Sequence, residues 1–247
     1  MTSKKTGLGD RLWVGGHDLS GDVGSIGTLD GPRGVLDVTG IGQSAVERVP
    51  GRSDVRLDFS SWFDDAVGQA HPVLSALPTG NVVILYSNGV SVGAASAGAV
   101  VTQIGYGGGR GNDGSLSFGV QGQGSAGVPL EWCQLLTAGE ITHASATSSA
   151  SKDDAAATTQ GLAAYLQLGE LDSGSVTVSI EHSANDSTWA TLVSFTAVAD
   201  GTEPAAQRVT IAGSVDRYLR VTTSGTFSNA RLVVAYRRGT AQDDVAY

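Results

Sequence analysis

The amino-acid sequence predicts a mainly β protein: a β-sandwich or barrel with one helix, followed by a second antiparallel β-sandwich. Apolar and polar residues alternate with period two over many short segments, which is the pattern of half-buried strands. Gly contributes 35 of the 247 residues, about twice its usual share, and this favours a chain with many turns. Residues 144–160 contain no large apolar side chain and separate two β-rich halves.

Two half-buried strands are predicted in the first half, at residues 53–60 and residues 113–123. The apolar side chains of the first strand are Val55, Leu57 and Phe59. One side of each strand should therefore face a core and the other side solvent. The polar residues expected on the solvent sides are Asp54, Arg56, Asp58, Ser115, Ser117 and Gln121.

One helix is predicted over residues 62–77, before a further strand at residues 81–86. Ser60 or Ser61 is suited to cap its start, because a serine hydroxyl can accept a hydrogen bond from a free backbone N–H of the first turn. Pro72 lies inside the segment and lacks a backbone N–H. The sequence therefore predicts a kinked helix or two short helical pieces.

Two Gly-containing segments are predicted as loops. Residues 39–52 lack a clean period and are expected to form a long connection. Residues 105–114 contain six Gly and are expected to form a flexible tip or a tight turn. Long loops in compact domains usually have a function or contact a partner, so both segments are candidates for contacts.

The second half is predicted to be an antiparallel β-sandwich, because segments rich in Val, Ile, Leu and aromatic residues recur between polar loops. The predicted strands are residues 162–168, 175–181, 189–195, 207–211, 215–221 and 230–236. The predicted organisation is a first domain at residues 1–140, a linker at 141–160 and a sandwich domain at 161–247.

Charge and cysteine content argue against several classes of function. The net charge of −9 disfavours general nucleic-acid binding, which needs clustered positive charge. The single cysteine, Cys133, excludes an intrachain disulfide and a multi-cysteine metal site. The histidines are not spaced as metal ligands and are expected at the surface or in turns: His17, His71, His143 and His182. We expect no catalytic residues, no cofactor and no metal.

Five phrases in the first half carry a resemblance to a known family. They are LWVGGHDLSGDVGSIG (12–27), LDVTGIGQSAVERVPGRSDVRLDFSSWF (36–63), AHPVLSALPTGNVVILY (70–86), QIGYGGGRGNDGSLSFGVQGQG (103–124) and LEWCQLLTAGE (130–140). In order and spacing they resemble the major tail (tail tube) proteins of long-tailed bacteriophages of the siphophage type, especially those of actinobacterial phages. The second half looks like a β-sandwich appended to such proteins, on the phrases HSANDSTWATLVSF and VDRYLRV.

The resemblance implies a tail-tube-like fold for residues 1–140, with copies of the chain joined in rings that stack into a tube. It further implies hexameric rings, and the sandwich at 161–247 is expected on the tube exterior. The implied partners are other copies of the chain and the tape-measure, tail-terminator and tail-tip proteins. DNA would pass through the channel without specific binding, and no membrane partner is expected. The implied location is the virion tail, assembled in the host cytoplasm.

The resemblance also gives the polar residues and loops a role. The six solvent-side residues of the two strands would line the channel, where acidic side chains repel phosphates. These residues are Asp54, Arg56, Asp58, Ser115, Ser117 and Gln121. The loops would supply contacts between subunits, and the candidate contact residues are Ile41, Val46, Arg48, Tyr106 and Arg110.

Two other classes of function stay open. The chain could be a tail-tip, head-decoration or fibre-type protein whose second sandwich recognises host-surface glycans. The four tryptophans are expected to be core anchors, but Trp189 follows a polar loop, and an exposed indole there would support glycan binding. An enzyme such as a cell-wall hydrolase is disfavoured, because the sequence shows neither paired acids nor a metal-ligand set. Polymerisation into hollow cylinders would distinguish a tube subunit from a receptor-binding protein.

Overall fold

In a computed structural model that describes residues 4 and 6–240, this part of the chain forms seventeen strands and one short helix. The elements of the first part are β1 (Arg11–Val14), β2 (His17–Asp18), β3 (Val23–Asp30), β4 (Arg33–Asp37), β5 (Arg48–Ser53), β6 (Arg56–Trp62), α1 (Ala70–Ser75), β7 (Val82–Ser87), β8 (Ala95–Arg110), β9 (Leu116–Gly124) and β10 (Glu131–Leu135). Those that follow are β11 (Ile141–His143), β12 (Lys152–Asp153), β13 (Leu162–Ser183), β14 (Ala190–Ser194), β15 (Val198–Ala199), β16 (Ala205–Ile211) and β17 (Tyr218–Arg238). The prediction of a mainly β, sandwich-type protein with one helix is confirmed.

The strands of the first half pair through β8. Its first part pairs with β7 on one edge and with β10 on the other. From Val101 to Arg110 it pairs with β9, which continues to β6 and β3. We refer to β3, β6, β9 and this second part of β8 as the four-stranded sheet. All of its neighbouring strands are antiparallel.

One side of the four-stranded sheet is buried beneath α1 and β1. Val55, Leu57 and Phe59 are buried, as their alternation predicts, and they share a core with Leu74 of α1 and Leu12 of β1. Complete burial of such a side chain contributes about 1.5–3 kcal/mol. The core therefore determines which side of β6 faces inward.

The helix is shorter than predicted and begins later. Strand β6 continues through Ser60 and Ser61 to Trp62, so neither serine caps a helix. The six-residue helix starts at Ala70, whose N–H donates to the buried carboxylate of Asp22 at 2.9 Å. The predicted kink at Pro72 is absent, because this residue lies in the first turn, where no helical N–H bond is required.

Both predicted loops contain strand residues, 48–52 of the first segment and 105–110 of the second, whereas residues 39–47 form a connection as predicted. Arg48–Ser53 is β5, and it pairs with β4 in a two-stranded hairpin outside the main sheet. We call residues 33–53 the arm. Strand β8 runs through the Gly-rich segment to Arg110, so only residues 111–115 form a tip. At that tip Asp113 accepts hydrogen bonds from the N–H and hydroxyl of Ser115, which delays the start of β9 to Leu116.

The second half is organised by two very long paired strands. Strand β13 unites the predicted strands at 162–168 and 175–181, and β17 unites those at 215–221 and 230–236. A loop was expected between each pair. Instead, the two strands stay paired throughout and form what we call the β13–β17 ribbon, which Gly174 and Gly225 allow to bend. Both glycines have a positive φ. A Cβ atom at either position would lie within 2.3 Å of a carbonyl oxygen of the opposite strand, so only glycine fits there. Strands β14, β15 and β16 pair with the other edge of β13.

The predicted linker, residues 141–160, is hydrogen-bonded along β17. Strands β11 and β12 pair with β17, and Ser148 forms an isolated bridge with Thr222. The segment is therefore not a free connection, because it runs along the second half as an additional strand-like strap. The division into domains at residues 1–140 and 161–247 stays a prediction.

The two halves also meet directly at a buried charged cluster. Glu131 of β10 has no solvent exposure, and Arg208 of β16 binds it through Nε at 2.7 Å and Nη2 at 2.9 Å. Tyr165 of β13 donates its hydroxyl to the same carboxylate, and Arg237 lies 3.7 Å away. Burial, followed by the negative charge of Glu131, raises the pKa of Tyr165 well above its usual value. The hydroxyl thus keeps its proton and acts as a donor.

Loss of the Glu131 charge should destabilise the protein strongly. In Glu131→Gln, Arg208 would remain buried without its counter-charge, and we expect a loss of about 3–5 kcal/mol in the free energy of unfolding. Urea unfolding followed by the fluorescence of the buried Trp13 would measure it. The matched control is Glu140→Gln, because the Glu140–Arg231 pair is partly exposed and should contribute about 1 kcal/mol or less. Equal losses in the two variants would contradict the role of the cluster.

Candidate assembly surfaces

The four-stranded sheet presents one polar side made of small and charged residues. Asp58 and Gln121 lie directly opposite each other on β6 and β9. Arg56 and Ser117 lie on the same side, because residues two apart along a strand point the same way. Four of the six residues predicted to line a channel are thus brought together on one surface.

The remaining two predicted channel residues lie outside the strands of the four-stranded sheet. Asp54 is exposed and lies two residues before β6, and its N–H donates to the carbonyl oxygen of Pro32 at 3.0 Å. Ser115 lies one residue before β9, in the tip, where its hydroxyl donates to Asp113. The predicted strands therefore began too early at both places.

The sequence reasoning missed other residues of the polar side. Trp62 continues the alternation of β6 beyond Ser60, the last residue of the predicted strand, and a longer predicted strand would have included it. Ser25 and Thr28 of β3 join the same side opposite Ser60 and Asp58, with Ser25 and Ser60 hydroxyls 2.8 Å apart. No local signal in β3 shows this, because two bulges interrupt its alternation.

The polar side carries mixed charge and is not strongly acidic. Arg56 lies opposite Asp30 of β3 and two residues from Asp58 on β6. Asp58, which lies opposite Gln121, is the acid nearest the middle of the surface. A repulsion of phosphates by this side would therefore depend mainly on Asp58.

Both outer edges of the four-stranded sheet are open in the described part of the chain. Strand β3 pairs with β6 on one edge and with no strand on the other. Beyond Val101, β8 pairs with β9 alone. Because the four strands alternate in direction, the two open edges run in opposite directions. An open edge presents unpaired N–H and C=O groups, which favours pairing with another chain.

The arm carries apolar side chains that pack against nothing in the described residues. Strand β4 is exposed throughout, and Val35 and Leu36 are more than half exposed. Ile41 and Val46, in the connection between the two strands, are equally uncovered. An isolated two-stranded hairpin is marginally stable in water. The arm therefore has the composition of a contact surface.

The five predicted contact residues lie on two of these surfaces. Ile41, Val46 and Arg48 are on the arm, and Tyr106 and Arg110 are on the open edge strand β8. Arg110 is exposed. Tyr106 is partly covered, since its ring stacks on Phe118 at 4.9 Å and its hydroxyl lies 3.0 Å from Nδ1 of His71.

Tryptophan exposure differs from the expectation. Trp13 is a core anchor, but Trp62 and Trp132 are 51% and 63% exposed. The guanidinium of Arg220 lies over the ring of Trp189 at 4.2 Å and covers one face of it. Trp189, the tryptophan that suggested glycan stacking, therefore has one ring face already covered by Arg220.

The histidines and cysteine provide no clear chemical site. His143 is buried, contrary to the surface expectation, and its Nδ1 lies 2.9 Å from the hydroxyl of Thr223. Cys133 is buried, and burial raises the pKa of its thiol. Within residues 4 and 6–240, no group of three or more His, Cys, Asp or Glu side chains is arranged to hold a metal ion. In the same residues, no helix is long and apolar enough to cross a membrane.

No protein-family model matches this chain, and no curated protein matches its sequence. Among solved structures, the chain aligns with the SPP1 Dit protein, described as a hub adsorption apparatus of phages infecting Gram-positive bacteria, at 11% identity and a TM-score of 0.34, over 92% of this chain and 98% of that one. The phage p2 baseplate in its activated conformation aligns at 8% identity with strontium and 7% with calcium, with TM-scores of 0.34 and 0.33. These alignments cover 93% and 94% of this chain and 98% and 99% of the other. Similarity at this level establishes neither a shared fold nor a shared function.

The arm should exchange its backbone amides rapidly in the free subunit. In the described part of the chain, the arm is joined to the body by a hydrogen bond at its base, where the Ser53 hydroxyl donates to the carbonyl oxygen of Gly31, so local opening of the arm costs little free energy. Amides of the β13–β17 ribbon serve as the internal control, because they are paired over more than twenty residues. Hydrogen exchange followed by mass spectrometry would measure both segments. Slow exchange of the arm in the monomer would contradict its independence from the body.

Proposed function

We propose that this protein is a non-catalytic structural subunit of a phage tail, and that its copies join into rings that stack to form the tail tube. The rings are hexameric by the family resemblance, and the tube conducts the genome during ejection. Other copies of the chain are its main partners, with tape-measure, tail-terminator and tail-tip proteins at the ends. The second half, residues 161–247, lies on the outside.

The observation that carries the proposal is the pair of open, oppositely directed edges of the four-stranded sheet. When β8 of one copy lies beside β3 of the next, the two strands are antiparallel, and the alternation of the sheet continues from copy to copy. Repetition of this step around a ring closes the sheet into a barrel, which removes every open edge. A ring thus satisfies the backbone groups that a single copy leaves unpaired.

The two sides of the sheet fit this arrangement. The apolar side is already covered by α1 and the core of the same copy. The polar side, with Asp58 and Gln121 near its middle, is free to line the channel. Small residues there, such as Gly107 and Gly119, leave the wall without protruding side chains over much of its width.

The arm supports stacking of the rings. It leaves the sheet between the end of β3 and the start of β6, whereas Trp62 lies at the far end of β6 and Val67 in the loop after it. Trp62 and Val67 are both exposed. Head-to-tail stacking would therefore bring apolar surface of the arm toward apolar surface of the next ring. A head-to-tail contact that does not close on itself builds filaments.

A proline on the open edge tests the proposal. The backbone N–H of Gly111 points toward the start of β9, because it donates to the carbonyl oxygen of Ser115 at 2.7 Å. Successive backbone N–H groups of an antiparallel strand point to opposite edges. The N–H of the preceding residue, Arg110, therefore points to the open edge. Arg110→Pro removes this donor without breaking the β8–β9 ladder, and it should abolish rings and tubes. Arg110→Ala, which keeps the N–H, is the matched control and should assemble.

Negative-stain microscopy and sedimentation velocity of the purified full-length chain, over a range of concentrations, would measure this assembly. We expect the unchanged chain and Arg110→Ala to form hollow cylinders, and Arg110→Pro to remain small. Thermal unfolding of the unassembled proteins should be similar in the two variants. Failure of the unchanged chain to form cylinders at any concentration would overturn the tube function. Normal tubes from Arg110→Pro would show that assembly uses another edge.

The channel side is tested by reversing one charge. Asp58→Lys places positive charge on the polar side, and assembled tubes should then retain linear double-stranded DNA at low salt. Asp200→Lys makes the same change in net charge at an exposed position of the second half, which is proposed to lie outside the tube, so it should retain much less DNA. Co-sedimentation of DNA with preformed tubes, at several salt concentrations, measures the difference. Equal retention by the two variants would remove this side of the sheet from the channel wall.

A further inference from the structure

A groove with both apolar and polar lining opens beside β3. It is lined on the sheet side by Ile26 and Leu29, and on the far side by Leu8 and Trp132. Leu8 is 88% exposed and Trp132 is 63% exposed. Exposed apolar residues gathered in a concave site, rather than scattered singly, indicate a binding surface.

The wall of this groove is fixed by hydrogen bonds. Asp10 accepts from the hydroxyl of Tyr86 at 2.5 Å and from the side-chain amide of Asn88 at 2.7 Å. Burial and the neighbouring Asp10 raise the pKa of Tyr86 to about 12, so the tyrosine keeps its donor proton. These bonds hold the segment that carries Leu8 against the ends of β1 and β7.

The opposite flank of the molecule presents an apolar projection. Ile104 lies at a bulge in β8, on the open edge of the four-stranded sheet, and is 53% exposed. Next to it, the side-chain amide of Gln103 donates to the carbonyl oxygen of Leu74 at 2.7 Å, which fixes this part of β8 against α1.

The groove and the projection lie at the same height along the sheet. The pairing register places Thr28, Asp58, Gln121 and Gly105 in one row across the four strands. Leu29 follows Thr28 on β3, and Ile104 precedes Gly105 on β8. A copy joined edge to edge without axial shift would therefore bring its Ile104 to the groove beside Leu29.

We propose that Ile104 of one copy inserts into the groove formed by Leu8, Ile26, Leu29 and Trp132 of the next copy. The inference rests on the edge-to-edge ring of the proposed function and specifies the side-chain contact that sets its register. The strand edges alone would allow pairing in several registers, since backbone hydrogen bonds repeat along a strand. An apolar projection that fits one groove selects a single register.

Cysteine cross-linking tests the contact. Leu8→Cys/Ile104→Cys places one thiol on each partner surface, both at exposed positions. The native thiol, Cys133, is buried and should not react in the folded protein. Mild oxidation under assembly conditions should give a ladder of covalent multimers on a non-reducing gel. Each single variant should give at most dimers, because the contact joins two different surfaces.

The matched control is Leu8→Cys/Val67→Cys, since Val67 is equally exposed but lies in the loop after β6. Cylinders together with a ladder from the Ile104 pair alone would support the contact. Cylinders without that ladder, or with a ladder from the Val67 pair instead, would overturn the contact but leave the tube function standing. Absence of cylinders from the unchanged chain would overturn both.

Replacement of the projection provides an independent measure. Ile104→Glu should raise the protein concentration needed for assembly at least about tenfold, equivalent to about 1.4 kcal/mol per contact. Gln160→Glu adds the same charge at an exposed position outside the proposed contact surfaces and should change that concentration much less. Equal concentrations for the two variants would contradict the insertion of Ile104.

Discussion

The fold depends on strand β8, which joins three parts of the molecule through one continuous backbone. Its first part pairs with β7 and β10, and its second part carries β9 and the rest of the four-stranded sheet. At Gly98 the ring of Tyr165, from the second half, packs so close that a Cβ atom would lie 2.4 Å from it. Any side chain at this position would therefore push the two halves apart, and the buried charge of Glu131, paired opposite Gly98, would lose its partners.

This arrangement combines a satisfied interior with unsatisfied edges. The core of the first half and the long β13–β17 ribbon leave few unpaired backbone groups inside. By contrast, the outer edge of β3, the far part of β8 and the arm each present groups or side chains without partners in the described residues. Assembly would cover the open edges without refolding of the core, because the side chains that β3 and β8 contribute to it pack on the side of the sheet that α1 covers. The proposed function depends on this separation between a packed core and open strand edges.

The candidate surfaces could be predicted only in part. Alternation in β6 correctly placed Arg56 and Asp58 on the solvent side, since side-chain direction in a strand depends on local geometry alone. The strand ends were less well predicted, because they are set by turn hydrogen bonds such as those of Asp113: β6 begins two residues after Asp54, and β9 begins one residue after Ser115. Ile41 and Val46 were predicted as contacts from a loop, yet they belong to the connection of a hairpin whose strand β5 has no apolar alternation.

The sequence by itself determined the β-rich class and the buried side of β6. The buried side depends on a pattern within a few residues, the period of two that places Val55, Leu57 and Phe59 on one side. Only the tertiary structure decided where α1 begins, how far β13 and β17 extend, and which edges stay open. Asp22 caps a helix 48 residues away, and Gly174 bends against a strand some fifty residues further along. Such contacts join residues distant in sequence, so no local pattern encodes them.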